Sequence, residues 1–560
     1  MSGEEIAGRE QPAPTARIDV IWPRLIGIAD EISHTLIRTA FSHDVIVAHD
    51  MSAAIFDDRG YMLAQTRLSA TGHVGAMPFF VKELLRQVPA GSMRSGDSFI
   101  TNDPWLHSGH TADVFVASPV FYGGALAGFV VSCVHHVDIG GRKGSGQSTE
   151  VYEEGLLLPI LPLTRGSVEN ADLFALIRRN VRFADKVVGD LRAQISAGFV
   201  GGRLMGELLK AEGRSQLRDV ADDIADRTER GMRKGIAKLR DGSFSGEVQV
   251  EIEGLDEPVR IVMTLTKRGD EIVADFTGSS PQVRRPINSP LNYSRAYLVV
   301  ATKMVCDPTL PNNDGSYRPI KIVAPEGSVV NPTYPAPVFW RYATGLMVGE
   351  LTFKLLANLA PDRVPAGSGS MPTWQFYVSG REGNGREFMI HTHAFGGMGA
   401  RPGRDGIASV SFPYNVRDLP SEVIEAESPL MIVERELIPD SGGAGQWRGG
   451  LGERMTMRLR PDRTLDPGQR MVLSGGAGRM RWPAHGLLGG DPGSLAQIRV
   501  NGVAVPPTSS PEVHFGADDV VVLDLPGGGG YGEPAARSGE AVAADLANGY
   551  VTAGLPPPVR

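Results

Sequence analysis

The sequence predicts an α+β protein, in which helices and mostly antiparallel strands occupy separate stretches of the chain. Strand-like apolar runs recur before residue 170 and again after residue 240. Between them, residues 171–240 carry apolar stripes at helical spacing. The 69 glycines and 40 prolines favour tight turns and irregular connections in the β-rich parts. We therefore expect a large mixed fold, with an N-terminal α/β part followed by β-rich middle and C-terminal parts.

Changes in residue pattern divide the chain into five predicted segments. Residues 1–16 are polar and predicted to be disordered, and Pro23 is expected to open the first helix of an N-terminal α/β domain at 17–240. A glycine-containing break after Arg240 is followed by alternating β patterns, which predict a domain boundary there. The later segments are a middle β-rich domain with helices at 241–460, a C-terminal β region at 461–535 and a helical, then proline-rich tail at 536–560.

Several shorter segments also carry structural predictions. The glycine-flanked residues 71–75 predict a loop before a helix near 78–85. Two further helices are expected at 294–305 and 343–359. The glycine clusters at 396–406, 441–452 and 526–532 are interpreted as tight turns of a β-rich region.

Composition and charge exclude several classes of function. The 560 residues are 42% hydrophobic and 21% charged, as in ordinary globular proteins. A formal net charge of −8 argues against binding to nucleic acid or to an anionic membrane surface. We expect no membrane-spanning helix, because no apolar run approaches the roughly 18 residues required. The polar N-terminus lacks a secretion signal, and Cys133 and Cys306 are too few for a disulfide framework, so a cytoplasmic location is expected.

A hairpin near residue 124 is predicted to gather polar side chains at its open end. Apolar runs at 114–121 and 125–134 are joined by Gly123-Gly124. A three-residue loop would pair Tyr122 with Leu126 and place Asp113 opposite His135. A two-residue loop would instead place Val134 opposite Asp113. Directly opposed residues share one face of the sheet, so the first register brings a carboxylate and an imidazole together.

His110 is a candidate partner of this pair. It lies three residues before Asp113, a spacing that places the two side chains on opposite faces of an extended strand. The intervening polar residues include glycine, so we expect a turn that brings both side chains inward. A set of His, Asp and His ligands would suit Zn²⁺ or Mn²⁺, and the alternative is that these are solvated residues at strand ends.

For three further polar groups, the sequence favours a structural role over a functional one. Asp50, alone before a strand, is typical of a solvated strand-end residue. Glu154, in a loop with other acidic residues, is typical of a surface charge. The pair His391 and His393 shares one face of a predicted strand and could compete as a metal site. Because no third ligand lies nearby in sequence, we interpret this pair as packing.

The motifs Asn102-Asp103-Pro104, His110-Thr111-Ala112-Asp113 and His135-His136-Val137-Asp138 are typical of one family. The chain resembles the hydantoinase B/oxoprolinase family, which includes N-methylhydantoinase and caprolactamase subunits, part of 5-oxoprolinase, and subunits of acetone and acetophenone carboxylases. The resemblance spans roughly residues 20–550. Further matching stretches lie at 50–57, 73–78, 189–195, 318–319, 324–327, 399–403, 439–443, 448–452 and 526–532.

The resemblance implies specific roles for site residues. The metal, Zn²⁺ or Mn²⁺, would be bound by the matching residues Asp50, His110, Asp113 and His135. His136, Asp138 and His73 become candidates for catalytic acid–base or ligand-orienting roles. Arg142, Lys143 and Glu150 are predicted to bind substrate, although the loop at 142–146 departs from the proline-containing segment of many relatives.

The resemblance also implies a divided mechanism. An A-type subunit would bind ATP with Mg²⁺ and phosphorylate the amide or carbonyl oxygen of the substrate, and this chain would complete the reaction at its metal. The sequence contains no P-loop motif, which carries little weight here because the A-type fold of the family does not use a P-loop either. We therefore expect the B-type subunit of a hetero-oligomeric, ATP-dependent hydrolase of hydantoins, 5-oxoproline or lactams. The alternatives are a subunit of an ATP-dependent ketone carboxylase, and a scaffold that only assembles the A-type partner.

Overall fold

The structure, a computed structural model, describes residues 14–142, 144–252, 255 and 257–552. The first half of the chain alternates strands and helices before a run of three helices. Its elements are α1 (Pro14–Thr39), α2 (His43–Ile46), β1 (Met51–Asp57), β2 (Met62–Gln65), α3 (Thr71–Gln87), β3 (Ser98–Thr101), β4 (Asp113–Tyr122), β5 (Ala125–His135), β6 (Leu161–Arg165), β7 (Val168–Glu169), α4 (Ala171–Asn180), α5 (Ala184–Glu212) and α6 (Arg218–Ala237).

The second half is richer in strands. Its elements are β8 (Gly242–Val250), β9 (Val259–Arg268), β10 (Glu271–Asp275), α7 (Leu291–Cys306), β11 (Ile320–Val323), α8 (Tyr342–Leu356), β12 (Trp374–Arg381), β13 (Glu387–Ala394), α9 (Ser421–Glu427), β14 (Leu430–Leu437), β15 (Glu453–Leu459), β16 (Met471–Gly476), β17 (Gln497–Val500), β18 (Val503–Ala504), β19 (Glu512–Phe515), β20 (Val520–Asp524) and α10 (Gly539–Ala547).

The strands form separate sheets rather than one continuous sheet. The N-terminal sheet has the order β2-β1-β5-β4-β3-β6-β7, and a second sheet has the order β11-β10-β9-β8. The C-terminal strands form the sheets β13-β12-β16-β19 and β14-β15-β20-β17-β18. Among the described strands, β10 and β11 pair in parallel and the other pairs are antiparallel. This mixed architecture confirms the α+β prediction, and α4, α5 and α6 confirm the helical stretch after residue 170.

The N-terminal sheet has a different helical cover on each face. One face packs against α1 and α5, with Leu25 and Met205 among the buried residues. The other face packs against α3, with Phe80 and Phe115 in edge-to-face contact at 5.7 Å between ring centroids. Both faces are therefore removed from water, which leaves the strand ends as the place where polar side chains collect.

The central hairpin combines features of both predicted registers. Tyr122 pairs with Ala125, so the turn has two residues, yet Asp113 is opposite His135. A bulge reconciles the two findings, because Ala127 is an extra residue on β5 between the pairs Phe121–Leu126 and Val120–Gly128. The predicted three-residue turn is wrong, and its predicted pairing of Asp113 with His135 is confirmed.

The first helix begins earlier than predicted. It starts at Pro14, so Pro23 lies inside α1 and does not open it. An internal proline loses one helical hydrogen bond. The helix is 26 residues long, and its buried face, with Ile18, Trp22 and Leu25, packs over the sheet and α5.

Residues 71–75 are also helical, contrary to the predicted loop. They form the first turns of α3 because Gly72 and Gly75 lie against α7. A Cβ atom at Gly72 would overlap the ring of Tyr293, and one at Gly75 would overlap Ala296. These glycines therefore serve close helix packing and not chain flexibility.

The glycine clusters are not mainly turns, contrary to their interpretation from sequence. Most of their residues lie outside turns, in irregular segments that pack backbone against backbone. The N–H of Gly528 donates to the carbonyl of Gly450 at 2.9 Å, and that of Gly443 donates to the carbonyl of Gly528 at 2.8 Å. A Cβ atom at Gly449 would overlap the carbonyl of Gly528. The tight spacing between these segments explains why glycine recurs there.

The predicted division into domains stays a prediction. One buried apolar cluster runs from Ala70 to Val416 and so crosses the expected boundary at residue 240. Of the segment predicted to be disordered, residues 14–16 instead belong to α1 and residues 1–13 lie outside the described residues, as do Lys143 and residues 553–560. No helix in the described part of the chain combines the length and apolar character needed to cross a membrane.

The bulge makes a prediction about Gly128. A Cβ atom there would overlap the carbonyl oxygen of Phe56 on the neighbouring strand, which cannot move without breaking the sheet. We expect Gly128→Ala to lower the free energy of unfolding by about 1–3 kcal/mol, measured as a lower denaturation midpoint. Gly91→Ala is the matched control, because no atom lies within 4 Å of the Cβ position there. Equal midpoints for the two variants would contradict this account of the bulge.

Candidate functional site

Three strand ends place polar residues side by side in the N-terminal sheet. His135 at the end of β5 is opposite Asp113 at the start of β4. On the other side of β5, the N–H of His135 donates to the carbonyl of Asp50, just before β1, at 3.1 Å. Opposed residues of antiparallel strands share a face, so Asp50, His135 and Asp113 form one row. All three are at most 1% exposed.

His110 joins this row from the turn that precedes β4, as predicted. Gly109 adopts the left-handed backbone region at φ 91°, which reverses the chain before His110. The Nε2 atom of His110 lies 2.8 Å from Oδ1 of Asp113. Its Nδ1 atom donates to the carbonyl of Phe339 at 3.1 Å. Because a carbonyl can only accept, Nδ1 carries the proton and Nε2 presents its lone pair to the row.

Asp113 is oriented by two groups that bind the same carboxylate oxygen. The guanidinium of Arg341 donates to Oδ2 at 2.7 Å, and the hydroxyl of Ser108 also donates to Oδ2. Arg341 in turn donates to the carbonyl of Ser108 at 2.7 Å and lies 4.5 Å from the centroid of the Tyr293 ring. Oδ1 is thereby left facing His110. Arg341, fully buried at the start of α8, has no sequence signal that links it to the site.

His73 reaches the row from the first turn of α3. Its Nε2 atom lies 3.2 Å from Oδ2 of Asp113 and 3.7 Å from Oδ1 of Asp50. Burial lowers its pKa, but the two carboxylates act in the opposite direction and give a net raised pKa. The structure therefore brings His73 together with all four predicted metal ligands.

The site also contains residues that the sequence interpretation missed. His391 and His393 on β13 lie at the row, and the interpretation of this pair as packing disregarded ligands distant in sequence. The ring of His391 stacks on that of His135 at 4.5 Å, and its Nδ1 donates to the carboxylate of Asp44. Nε2 of His393 lies 3.7 Å from Oδ2 of Asp50. The two-residue spacing of His391 and His393 was the signal that the sequence offered. The third ligand, Asp50, comes from the segment just before β1.

Unpartnered buried atoms show that this cluster could hold a cation. The ligand atoms of His110, Asp113 and His135 lie within 4.8 Å of one another. Within the described part of the chain, both carboxylate oxygens of Asp50, both ring nitrogens of His135 and of His393, Nε2 of His110 and Oδ1 of Asp113 make no hydrogen bond. Buried polar atoms are costly without a partner, so this convergent set of nitrogen and oxygen ligands fits a divalent transition metal.

The pKa values of the cluster also favour the protonation states in which these side chains bind metals. Burial lowers the pKa of His110 to about 4 and that of His135 well below its usual range, so both rings are neutral near pH 7. Burial opposes ionisation of Asp113, but His110, His73 and Arg341 hold its pKa well below the usual range. Burial raises the pKa of Asp50 to about 6. Neutral imidazoles and ionised carboxylates are the forms that ligate metals.

Two predicted catalytic residues lie outside the row. His136 follows His135 and therefore points to the opposite face of the sheet, where its Nε2 lies 3.4 Å from the amide oxygen of Gln194 on α5. Asp138 accepts a hydrogen bond from the N–H of Gly140 at 2.9 Å and forms an ion pair with Arg182 at 3.0 Å. The geometry gives Asp138 a loop-stabilising contact and does not bring either residue to the ligand cluster.

The predicted substrate-binding residues are also separate from the cluster. Arg142 is exposed, pairs with Glu153 at 2.6 Å and lines a surface pocket with Arg381 and Arg470. Glu150 is exposed on the surface, and Lys143 lies outside the described residues. A role of this loop in substrate binding stays a prediction.

Glu154 is a further residue whose interpretation from sequence is corrected by the structure. It is not a surface charge, because it is 2% exposed. Its carboxyl group accepts hydrogen bonds from the N–H groups of Val338 and Phe339 at 2.8–3.0 Å. Phe339 is the residue whose carbonyl accepts from His110, so Glu154 fixes the backbone that orients this ring.

Comparison with known proteins gives the family. The family model for hydantoinase B/oxoprolinase matches residues 15–534. The chain belongs to the hydantoinase B/oxoprolinase family. A protein of Pseudomonas sp. (strain NS671), provisionally named as the B component of a D-/L-hydantoinase, is 31% identical over 96% of this chain and 93% of its own. The predicted family is thereby confirmed.

Solved structures share the same fold. The chain superimposes on the ATP-dependent caprolactamase from Pseudomonas jessenii with a TM-score of 0.87 and 27% identity, over 97% of this chain and 95% of the other. It matches acetone carboxylase with a TM-score of 0.83 and 20% identity, over 96% and 78% of the two chains. The second likeness shows the fold alone.

Glu154 generates a prediction about pH. Burial raises its pKa to about 8, so the folded state binds this proton more tightly than the unfolded state does. The resulting stabilisation is complete at low pH and is lost as the pH rises toward 8. Glu154→Gln stays neutral, so we expect the stability of the variant relative to wild type to increase between pH 5 and pH 8.5. The expected change is on the order of 2–4 kcal/mol.

Thermal denaturation at a series of pH values measures this difference. Glu153→Gln is the control, because hydrogen bonds from Thr149 and an ion pair with Arg142 lower the pKa of Glu153. The control should show no gain in relative stability over the same range. Parallel pH profiles for wild type and Glu154→Gln would contradict the raised pKa.

Proposed function

We propose that this chain is the B-type catalytic subunit of an ATP-dependent cyclic-amide hydrolase. In this proposal Asp50, His110, Asp113 and His135 bind one divalent transition metal, Zn²⁺ or Mn²⁺. The observation that carries the proposal is the buried row of unpartnered nitrogen and oxygen ligands at the ends of β1, β5 and β4. Polar side chains with a purely structural role are normally hydrogen-bonded when they are buried from water.

The charges of the cluster support a divalent ion. Asp44, Asp50 and Asp113 are the carboxylates around it, and Arg341 is the one guanidinium in direct contact with these ligands among the described residues. With the carboxylates ionised and the ligand histidines neutral, two negative charges remain uncompensated while His73 is unprotonated. One divalent cation would neutralise them, which removes the cost of burying the carboxylates. Mixed imidazole and carboxylate ligands suit Zn²⁺ and Mn²⁺.

The residues of the chain would prepare this centre for hydrolysis. When bound, a divalent metal polarises a carbonyl oxygen and lowers the pKa of a water molecule, which makes water a nucleophile near neutral pH. Arg341 and Ser108 hold Asp113 so that Oδ1 faces the centre. The Phe339 carbonyl fixes the His110 tautomer, and the Asp44 carboxylate fixes the ring of His391. His73, with a raised pKa between two carboxylates, can hold a proton beside the reacting atoms.

A cyclic amide requires activation before such an attack. Amide resonance makes its carbonyl a poor electrophile, and transfer of phosphate to the oxygen would provide a better one. The similar Pseudomonas protein is named as one subunit of its enzyme. We therefore infer that an A-type partner binds ATP with Mg²⁺ and forms the phosphorylated substrate. The likeness to an ATP-dependent caprolactamase at 27% identity supports the hydrolase over the ketone carboxylase.

The metal centre makes the first prediction of this proposal. Purified wild-type protein should contain about one divalent transition metal per chain, because the row provides one set of convergent ligands. Asp113→Ala and His135→Ala should each reduce the metal content by about tenfold or more after dialysis. Elemental analysis measures the content, and circular dichroism shows whether each variant remains folded. His514→Ala is the matched control, because this histidine is exposed on β19.

Two results would contradict the metal centre. Folded variants that retain the wild-type metal content would show that the row does not bind it. A wild-type protein that takes up no Zn²⁺ or Mn²⁺ from buffered solutions would show that the unpartnered atoms have another role.

The divided mechanism makes the second prediction. The isolated chain should show no lactam opening, because activation by ATP would take place on the partner. After reconstitution with its A-type partner, ring opening should require ATP and should not require bicarbonate. Product chromatography with and without bicarbonate measures both dependences. Turnover by the isolated chain would show that the reaction does not need a partner. Bicarbonate-dependent ATP use with a ketone would indicate that the protein is a carboxylase subunit.

A further inference from the structure

A second cavity lies away from the candidate metal centre. It has a volume of about 320 Å³ and lies between α3, α7 and β11. Its apolar walls come from Pro78, Phe79, Val299, Ile320 and Ile322. Volumes of this order and mainly apolar walls with few polar groups are typical of small-molecule sites.

The polar groups of this cavity are mostly cationic. Lys82, Arg295 and Arg318 line it together with the single carboxylate of Asp314. That carboxylate is already used, because Lys82 lies 2.7 Å from Oδ1 and the N–H of Met62 donates to Oδ2 at 2.7 Å. The cavity therefore contains more positive than negative charge.

The positive charge of Arg318 is compensated by carboxylates that lie outside the cavity. Its guanidinium forms ion pairs with Asp226 at 2.7 Å and Glu229 at 3.0 Å, both on α6. Neither α6 carboxylate lines the cavity. Arg318 thus borders the cavity with its charge already satisfied.

Arg295 is different, because no described residue forms an ion pair or a hydrogen bond with its guanidinium. The group lies 4.7 Å from the centroid of the Phe79 ring and near the Tyr317 hydroxyl, whose proton is donated to the carbonyl of Gly75. Arg295 is partly buried, and burial lowers its pKa from the usual value. Arginine is rarely withdrawn from water without an anionic partner, so a guanidinium held over a ring at a cavity wall can bind an anion from solution.

We propose that this cavity binds an organic anion. A carboxylate or phosphate monoester of the ligand would accept two hydrogen bonds from Arg295, and its flat apolar body would pack against Phe79, Val299 and Ile320. Arginine presents paired donors that match both anionic groups. The nearby Lys82 ammonium is paired with Asp314 in the same cavity, so Arg295 supplies the uncompensated positive charge among the described lining residues.

This site is distinct from the candidate metal centre. His73 and Lys82 are nine residues apart on α3, which is two and a half helical turns, so they lie on opposite faces of the helix. Tyr293 and Arg295 are two residues apart on α7 and likewise point in opposite directions. The metal cluster and the anion cavity thus use opposite faces of the same helix pair. The proposal does not depend on the proposed catalytic function.

Ligand-observed saturation-transfer NMR on the full chain tests the proposal. Benzoate and phenyl phosphate are the anionic probes, and benzamide is the neutral probe of similar shape. We expect at least one anion to bind with millimolar affinity and benzamide to bind at least about tenfold more weakly, because it lacks the charge-assisted hydrogen bonds. The anion that binds more tightly identifies the carboxylate or phosphate class of ligand.

Substitutions then locate the site. Arg295→Gln should weaken anion binding by about tenfold or more, and Arg295→Lys should have a smaller effect because it keeps the charge. Arg268→Gln, an exposed arginine at the end of β9, is the matched control and should leave binding unchanged. The proposal is overturned if neither anion binds at about 10 mM, if benzamide binds as tightly, or if a folded Arg295→Gln variant binds like wild type.

Discussion

The pairing of β1, β5 and β4 at one end of the N-terminal sheet is the constraint on which the site depends. It aligns Asp50, His135 and Asp113 across three strands. Opposed residues share one face of the sheet, so in the unbulged register of the two-residue turn Val134, and not His135, would be opposite Asp113. The register is set by the bulge at Ala127, at the other end of the hairpin. A local irregularity far from the cluster thus decides that an imidazole, and not a valine, is opposite Asp113.

Burial is the second constraint, because a buried polar atom without a partner costs free energy. The residues of the row are almost fully excluded from water, and several of their donor and acceptor atoms lack partners within the described structure. Arg341 compensates one carboxylate and is itself held by Ser108 and the ring of Tyr293. Such a dry environment strengthens electrostatic interactions and favours neutral histidines, which suits a site that binds a cation.

Glycine supports both constraints through close packing. Gly72 and Gly75 allow α3 to approach α7, so that His73 reaches the row from one face of α3 while Lys82 lines a cavity on the other. The glycine-rich segments near Gly450 and Gly528 pack their backbones directly against each other. Sequence alone suggested turns at these places, since glycine frequency does not distinguish backbone freedom from the absence of a side chain.

The sequence by itself determined the α+β class, the helices α4 to α6, the central hairpin and, through family motifs, the set of residues around which the site is built. These features follow from local periodicity and short motifs, which are readable within one segment. Only the tertiary structure decided the partners of that set. His391 stacks on His135, and His393 lies near Asp50. Arg341 binds Asp113, and Glu154 orients His110 through the backbone of Phe339. In each case the two residues are distant in sequence. Contacts between distant segments depend on sheet register and helix packing, and these leave no periodic trace in the residues themselves.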